Sequence, residues 1–160
     1  MQRVEGVVQH YAWGDPAFLP ELLGRELDGR PWAELWLGTH PNGPATLEDG
    51  TPLADVTGPL PYLLKVLACS EPLSLQTHPD ADQAIRGFEL GVFPDDRPKP
   101  ELLCALTPFE ALCGIRPVAA SRSLFDDLGL DAWSLLLASG GPSDVLTRIY
   151  RHELNVAAVV

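Results

Sequence analysis

Two pairs of residues at two-residue spacing could do chemistry in this chain. Within "LSLQTHPDAD", Leu73 to Asp82, Gln76 and His78 stand at i and i+2. Within "RPKPELLCAL", Lys99 and Glu101 repeat the spacing. An extended backbone sends i and i+2 to one face, so each pair shares a face. Ser74 joins Gln76 and His78, while Leu73, Leu75 and Thr77 point the other way. A helix would separate i and i+2 by about 200°, and Pro79 would disrupt it, so the pattern predicts a strand. Side chains that start roughly 6.6 Å apart along a strand can close on one divalent ion at bonds of about 2.1 Å. Each signal alone has a plainer reading. A Gln-x-His pair can be a surface cluster, and a Glu after Pro a solvated carboxylate. Lys65, inside the apolar run "YLLKVLA", adds a third signal. An amine there must reach a partner or a cavity, or snorkel to an edge.

The elements that must position these residues fall into two textures. The first three quarters read mostly as strands and turns. One strand is predicted around Ala33 to Leu37, another in "LPYLLKVLA", and a third in "EPLSLQTH". "PELLCALTPFEALCGIRP" predicts two more, joined at Thr107-Pro108. A short helix is predicted at Phe18 to Leu23, with Asp15 as cap and Pro16 in the first turn. After Pro117 the periodicity becomes helical. "SRSLFDDLGL" predicts a helix capped by Ser121 and stopped by Gly129. "DAWSLLLASGG" predicts another, behind Asp131 and ended by Gly140-Gly141. A third begins in "SDVLTRIYRHELNVAAVV", carries no stop signal, and is expected to be cut by the end of the chain.

Composition narrows the function classes. Among 160 residues, 46% are apolar, which marks a folded sequence. With 22 acidic and 11 basic residues the net charge is -11, and there is no basic stripe. Nucleic acid and anionic membranes are thereby disfavoured as partners. An anionic ligand would need a local basic pocket. The basic residues are nine arginines and only two lysines, Lys65 and Lys99, and both lysines lie in the stretches singled out above. Cys69, Cys104 and Cys113 sit in apolar runs and are expected to be small buried hydrophobes. Their odd number, without a C-x-x-C, suits a reducing cytosol. No signal-peptide core and no bilayer-length apolar run is present.

Taken together, the stretches resemble the type I phosphomannose isomerases. The residues that carry the resemblance are "YAWG" at Tyr11 to Gly14, "AELWLGTHPNGPA" at Ala33 to Ala45, "LLKVLACSEPLSLQTHPD" at Leu63 to Asp80, and "KPELLCALTPFEALCGIRP" at Lys99 to Pro117. The resemblance implies a mainly β fold with α: a cupin-like (jelly-roll) barrel portion over 1–117, followed over 118–160 by the start of a helical insertion. It implies an enzyme that interconverts mannose 6-phosphate and fructose 6-phosphate with one Zn2+ per subunit. Gln76, His78 and Glu101 would be three metal ligands. The fourth is expected beyond the end of this chain, and His152 does not match it. Lys99 is implied as an active-site residue and candidate base, and Trp13, Glu34, Lys65 and Ser74 as substrate-contacting positions. The resemblance also implies a cytoplasmic monomer acting on a hexose 6-phosphate. Three rival readings stay open: another cupin enzyme, against which glutamine in place of a first histidine argues, an inactive sugar-phosphate-binding or regulatory protein, and a structural fragment with no independent activity.

Overall fold

The computed structural model describes residues 2–154. Its order is β1 (Val4–Glu5), β2 (Val7–Gln9), α1 (Phe18–Leu22), β3 (Glu34–Leu37), β4 (Thr46–Leu47), α2 (Leu53–Thr57), β5 (Leu64–Leu67), α3 (Ala81–Glu89), α4 (Val118–Asp127) and α5 (Asp131–Tyr150). The chain packs as two compact units that divide between Pro100 and Glu101. The fold is mixed helix and sheet.

The first unit is built on small antiparallel sheets. β1 pairs with β4, and β2, β3 and β5 form a three-stranded sheet with β3 in the centre. The register sets Val8 opposite Leu35 and Leu35 opposite Val66. Alternation then puts these three side chains on one face, where they meet Leu19, Trp32 and Ala68 in the main core. α1 supplies Leu19, which is fully buried. The N-cap of that helix is Ala17 rather than the predicted Asp15, and Pro16 lies before the first turn; Asp15 still holds the helix start, its Oδ1 accepting the Ala17 and Phe18 N–H groups at 2.7 Å each. A second cluster of Ala45, Leu47 and Leu53 closes the β1–β4 pair against α2.

Two predicted strand regions are not strands. Residues 73–78 and 101–117 carry no ladder among the described residues. A strand exists through a ladder of backbone hydrogen bonds to a neighbouring strand, and among the described residues neither segment belongs to a sheet. Leu75, expected on a packed face, is 71% exposed. Cys104 and Cys113 lie in the second of these segments and are exposed, and Cys69 is half-buried, so the expectation of three buried thiols fails.

Two short helices carry sequence signals of their own that the strand reading passed over. α3 opens with a capping box, in which the Asp80 carboxylate accepts the Gln83 N–H at 2.8 Å and the Gln83 side chain accepts the Asp80 N–H at 3.1 Å. α2 begins after Pro52 and ends at Gly58.

The second unit contains a helical hairpin. α4 starts at Val118, three residues before the predicted cap, because Pro117 takes the cap position and sets the entry angle. The chain turns at Gly129, where the Leu130 N–H reaches back to the Phe125 carbonyl at 2.8 Å. α5 is two helices merged across a break at Gly141, whose φ of 69° only glycine adopts readily, with Pro142 following. The break falls at the predicted Gly140-Gly141 stop. Trp133 packs on Phe125 at 6.1 Å, and Leu137 and Val145 are buried. Beyond the break the helix ends at Tyr150, with His152 at φ 57°. The apolar run at 156–160, over which it was expected to continue, lies outside the described residues.

Candidate active site

The opposite face of the three-stranded sheet carries its polar and charged side chains among Val7, Trp36 and Leu67. The register places Gln9 opposite Glu34, and Trp36 opposite Lys65. Glu34 and Trp36 are two apart on β3 and share that face. Glu34 is buried at 5% exposure, and both of its oxygens are engaged. Oε1 accepts from Lys65 Nζ at 3.0 Å, and Oε2 accepts from Trp36 Nε1 at 2.6 Å. A carboxylate out of water is tolerated only when paired and hydrogen-bonded, and these two bonds meet that condition. Lys65 therefore reaches a partner rather than an edge, while its side chain keeps about a third of its surface exposed (32%).

The loops around this face are shaped by close contacts. A Cβ on Gly43 would lie 2.9 Å from Gln9 Nε2 and 3.0 Å from Trp36 Cε3, so the "HPNG" loop presses backbone against that indole. The edge of the His40 ring meets Trp36 at 4.9 Å, and His40 Nδ1 accepts the Asn42 N–H at 3.2 Å. His40 is thus a loop-holding residue. A Cβ on Gly14 would meet the Ala33 backbone N at 2.5 Å, which explains the glycine of "YAWG". Next to it Trp13 stacks on Tyr11 at 5.6 Å. The Trp13 carbonyl accepts the Ser70 N–H at 3.0 Å, and Gly14 bridges to Cys69. Burial and then the Glu34 charge push the Cys69 thiol up from its ordinary value.

The segment after β5 has no regular secondary structure and is mostly exposed, and it carries Ser74, Gln76 and His78. Thr77, His78, Pro79, Gln83 and Phe93 line an open cavity beside α3. Phe93 folds over Gly87, where no Cβ could fit. The Lys99 N–H reaches the Pro79 carbonyl at 3.4 Å, so the backbone beside the lysine abuts the residue after His78. Glu101 is exposed and falls in the second unit. Among the described residues, no three His, Cys, Asp or Glu side chains gather to hold a metal ion. The donor chemistry of Gln76, His78 and Glu101, one imidazole nitrogen with amide and carboxylate oxygens, does fit zinc.

The structure thus brings Glu34 and Lys65 together, and it keeps Ser74, Gln76 and His78 on one segment. Sequence reading passed over Trp36, although its i+2 relation to Glu34 in a predicted strand was the available signal. Gln83 and Phe93, which line the cavity with His78, were also passed over; the Asp80–Gln83 capping pattern was their signal.

Comparison with known proteins follows the same stretches. The family model "Phosphomannose isomerase type I, catalytic domain" matches residues 1–58 and 51–118. The mannose-6-phosphate isomerase of Schizosaccharomyces pombe is 36% identical over 153 residues, covering 80% of this chain and 37% of that protein. That of Escherichia coli is 34% identical, covering 78% of this chain and 40% of the relative. This chain therefore spans well under half the length of these relatives. Two point mutants of phosphomannose isomerase from Salmonella typhimurium have similar structures. One has a TM-score of 0.76 at 29% identity, over 98% of this chain and 48% of the other. The second has a TM-score of 0.71 at 34% identity, over 81% and 40%. With its polar sheet face built from "AELWLGTHPNGPA" and "LLKVLA", and the family match running from residue 1 to 118, the chain belongs to the type I phosphomannose isomerase family.

Proposed function

We propose that the protein carrying this chain is an aldose–ketose isomerase that interconverts mannose 6-phosphate and fructose 6-phosphate. The observation that carries the proposal is the catalytic-domain match over residues 1–118. In the proposed site Gln76, His78 and Glu101 hold a zinc ion, with a fourth ligand from outside these residues. The chemistry a bound zinc ion supplies is polarisation of the sugar carbonyl and stabilisation of negative charge that develops beside it. Everything else falls to side chains. Lys99 takes the proton from one of the two reacting carbons and returns it to the other; a base there needs its amine neutral, which desolvation and a nearby cation favour. Lys65 supplies positive charge for the phosphate, and Glu34 fixes where that charge sits. Trp13 walls the sugar and Ser74 hydrogen-bonds it. The location of both lysines in family-matching segments of an acidic chain supports this assignment, since an anionic substrate needs a local basic site.

The same proposal assigns 1–117 to the N-terminal part of a cupin-like jelly-roll catalytic domain and 118–160 to the beginning of a helical domain. Segments 73–78 and 101–117 would then pair with strands from outside this chain. We further propose that the protein works in the cytoplasm as a monomer; exposed thiols at Cys104 and Cys113 suit a reducing compartment. Among the described residues, no helix is long and apolar enough to cross a membrane.

The test is a coupled isomerase assay on mannose 6-phosphate with the full-length protein, with and without a chelator. Chelator-sensitive turnover that is lost in His78→Ala supports the assignment. Absence of turnover in the zinc-loaded, folded protein overturns it, and sugar-phosphate binding without turnover would point to a regulatory role.

A further inference from the structure

We propose that Trp36 is a positioning residue for Lys65. It acts through Glu34, and the inference rests on Lys65 being a substrate-facing residue. A lysine ammonium sits on a flexible four-carbon stem and gains a fixed place only from its partner. That partner is Glu34, and a carboxylate bonded through one oxygen can still swivel about its last torsion, which is broad and roughly two-fold. Here the second oxygen is held by the indole N–H at 2.6 Å, while the first meets Lys65 Nζ at 3.0 Å. Both bonds are charge-assisted, and their directions fix the carboxylate plane.

Trp36 is itself held on several sides. It lies in the central strand between Val7 and Lys65. The His40 ring edge abuts it at 4.9 Å. The Gly43 backbone presses on its six-membered ring, with room for no side chain. A path of contacts therefore runs from the "HPNG" loop through the indole and the carboxylate to the amine. This explains why β3 spends a large, nearly buried aromatic on the polar face of its sheet. A phenylalanine would fill only part of that space and could not hold the carboxylate.

The test reads the amine directly. The full-length protein is reductively methylated under native conditions, and modification of Lys65 is measured by mass spectrometry as a ratio to a lysine-containing reference peptide added to the reaction. Trp36→Phe keeps a smaller aromatic ring and removes the N–H. It is expected to raise the ratio of Lys65 to reference-peptide modification by about threefold or more, the scale of one ordinary hydrogen bond lost. Gly43→Ala, which crowds the indole without touching the pair, is expected to raise it in the same direction. Glu34→Gln sets the upper limit. If Glu34→Gln raises the ratio while Trp36→Phe leaves it unchanged, Glu34 holds the lysine unaided and the proposal fails. If neither raises it, the pair does not restrain the amine and the proposal fails as well. A fall in melting temperature without a change in the ratio would make Trp36 merely structural. Steady-state kinetics add a second readout: Trp36→Phe is expected to raise KM for mannose 6-phosphate severalfold more than it lowers kcat. A protein with no isomerase activity would refute the proposed function while leaving the methylation ratio to judge Trp36.

Discussion

Removing Lys65 should cost more than removing the whole ion pair. In Lys65→Met the stem is replaced by a side chain of similar length, and packing changes little. Glu34 remains at 5% exposure with only the Trp36 N–H as partner. Breaking a fully buried pair by deleting one member costs about 3–5 kcal/mol. The Lys65 side chain is 32% exposed, so water screens part of the attraction, and the expected loss is discounted to about 2 kcal/mol. Glu34→Gln combined with Lys65→Met removes both charges and lets the amide oxygen accept the indole N–H. That double variant should lose only about 1 kcal/mol, the net worth of an ordinary hydrogen bond. The order is therefore inverted relative to additivity, with a coupling energy of about 1 kcal/mol or more. Urea unfolding of the full-length protein measures it, provided m is unchanged between variants. A Lys65→Met loss below about 0.5 kcal/mol, the range of an ordinary surface substitution, would refute the claim that the sheet buries a charge dependent on this lysine.

Three further outcomes follow from local geometry. Asp28 is held at a pKa of about 2, down from 3.8, first by the Arg30 backbone N–H and then by the Arg30 and Trp32 side chains. A lowered carboxylate pKa stabilises the fold above the unfolded value, and that contribution disappears as pH falls from about 4 to about 2; Asp28→Asn should flatten the stability curve in that window. Cys69 should alkylate with iodoacetamide at pH 8 more slowly than Cys104 and Cys113, because burial and then the Glu34 charge raise its pKa while the other two are exposed; equal rates would contradict the placement of Cys69. Gly14→Ala should destabilise by about 2 kcal/mol or more, since its Cβ would sit 2.5 Å from a backbone nitrogen that cannot rotate away; an unchanged urea midpoint would show that Ala33 yields.

What the sequence made legible follows the range of the forces involved. The helices past Pro117 were readable because their signals are local. Gly129 and Gly141 mark where the helices stop or break, and the misplaced start of α4 came from weighing Ser121 over Pro117 within a single turn. α3 was equally local: Asp80 and Gln83 spell a capping box, but the alternation through His78 drew attention to strands instead. Strands are a different case. β3 and β5 were legible because they pair with each other, and their alternation is enforced by a core on one side. The stretch from Leu73 to His78 has the same alternation, but it forms no strand among the described residues. Periodicity specifies which face a side chain would take; only a paired neighbour decides that the face exists. The same logic separates the two halves of the candidate site. Glu34, Trp36 and Lys65 are fixed within one paired sheet, and their contacts are complete there. Gln76 and His78 sit on a segment that belongs to no sheet among the described residues, and Glu101 falls in the other unit, so family resemblance rather than local geometry carries their assignment.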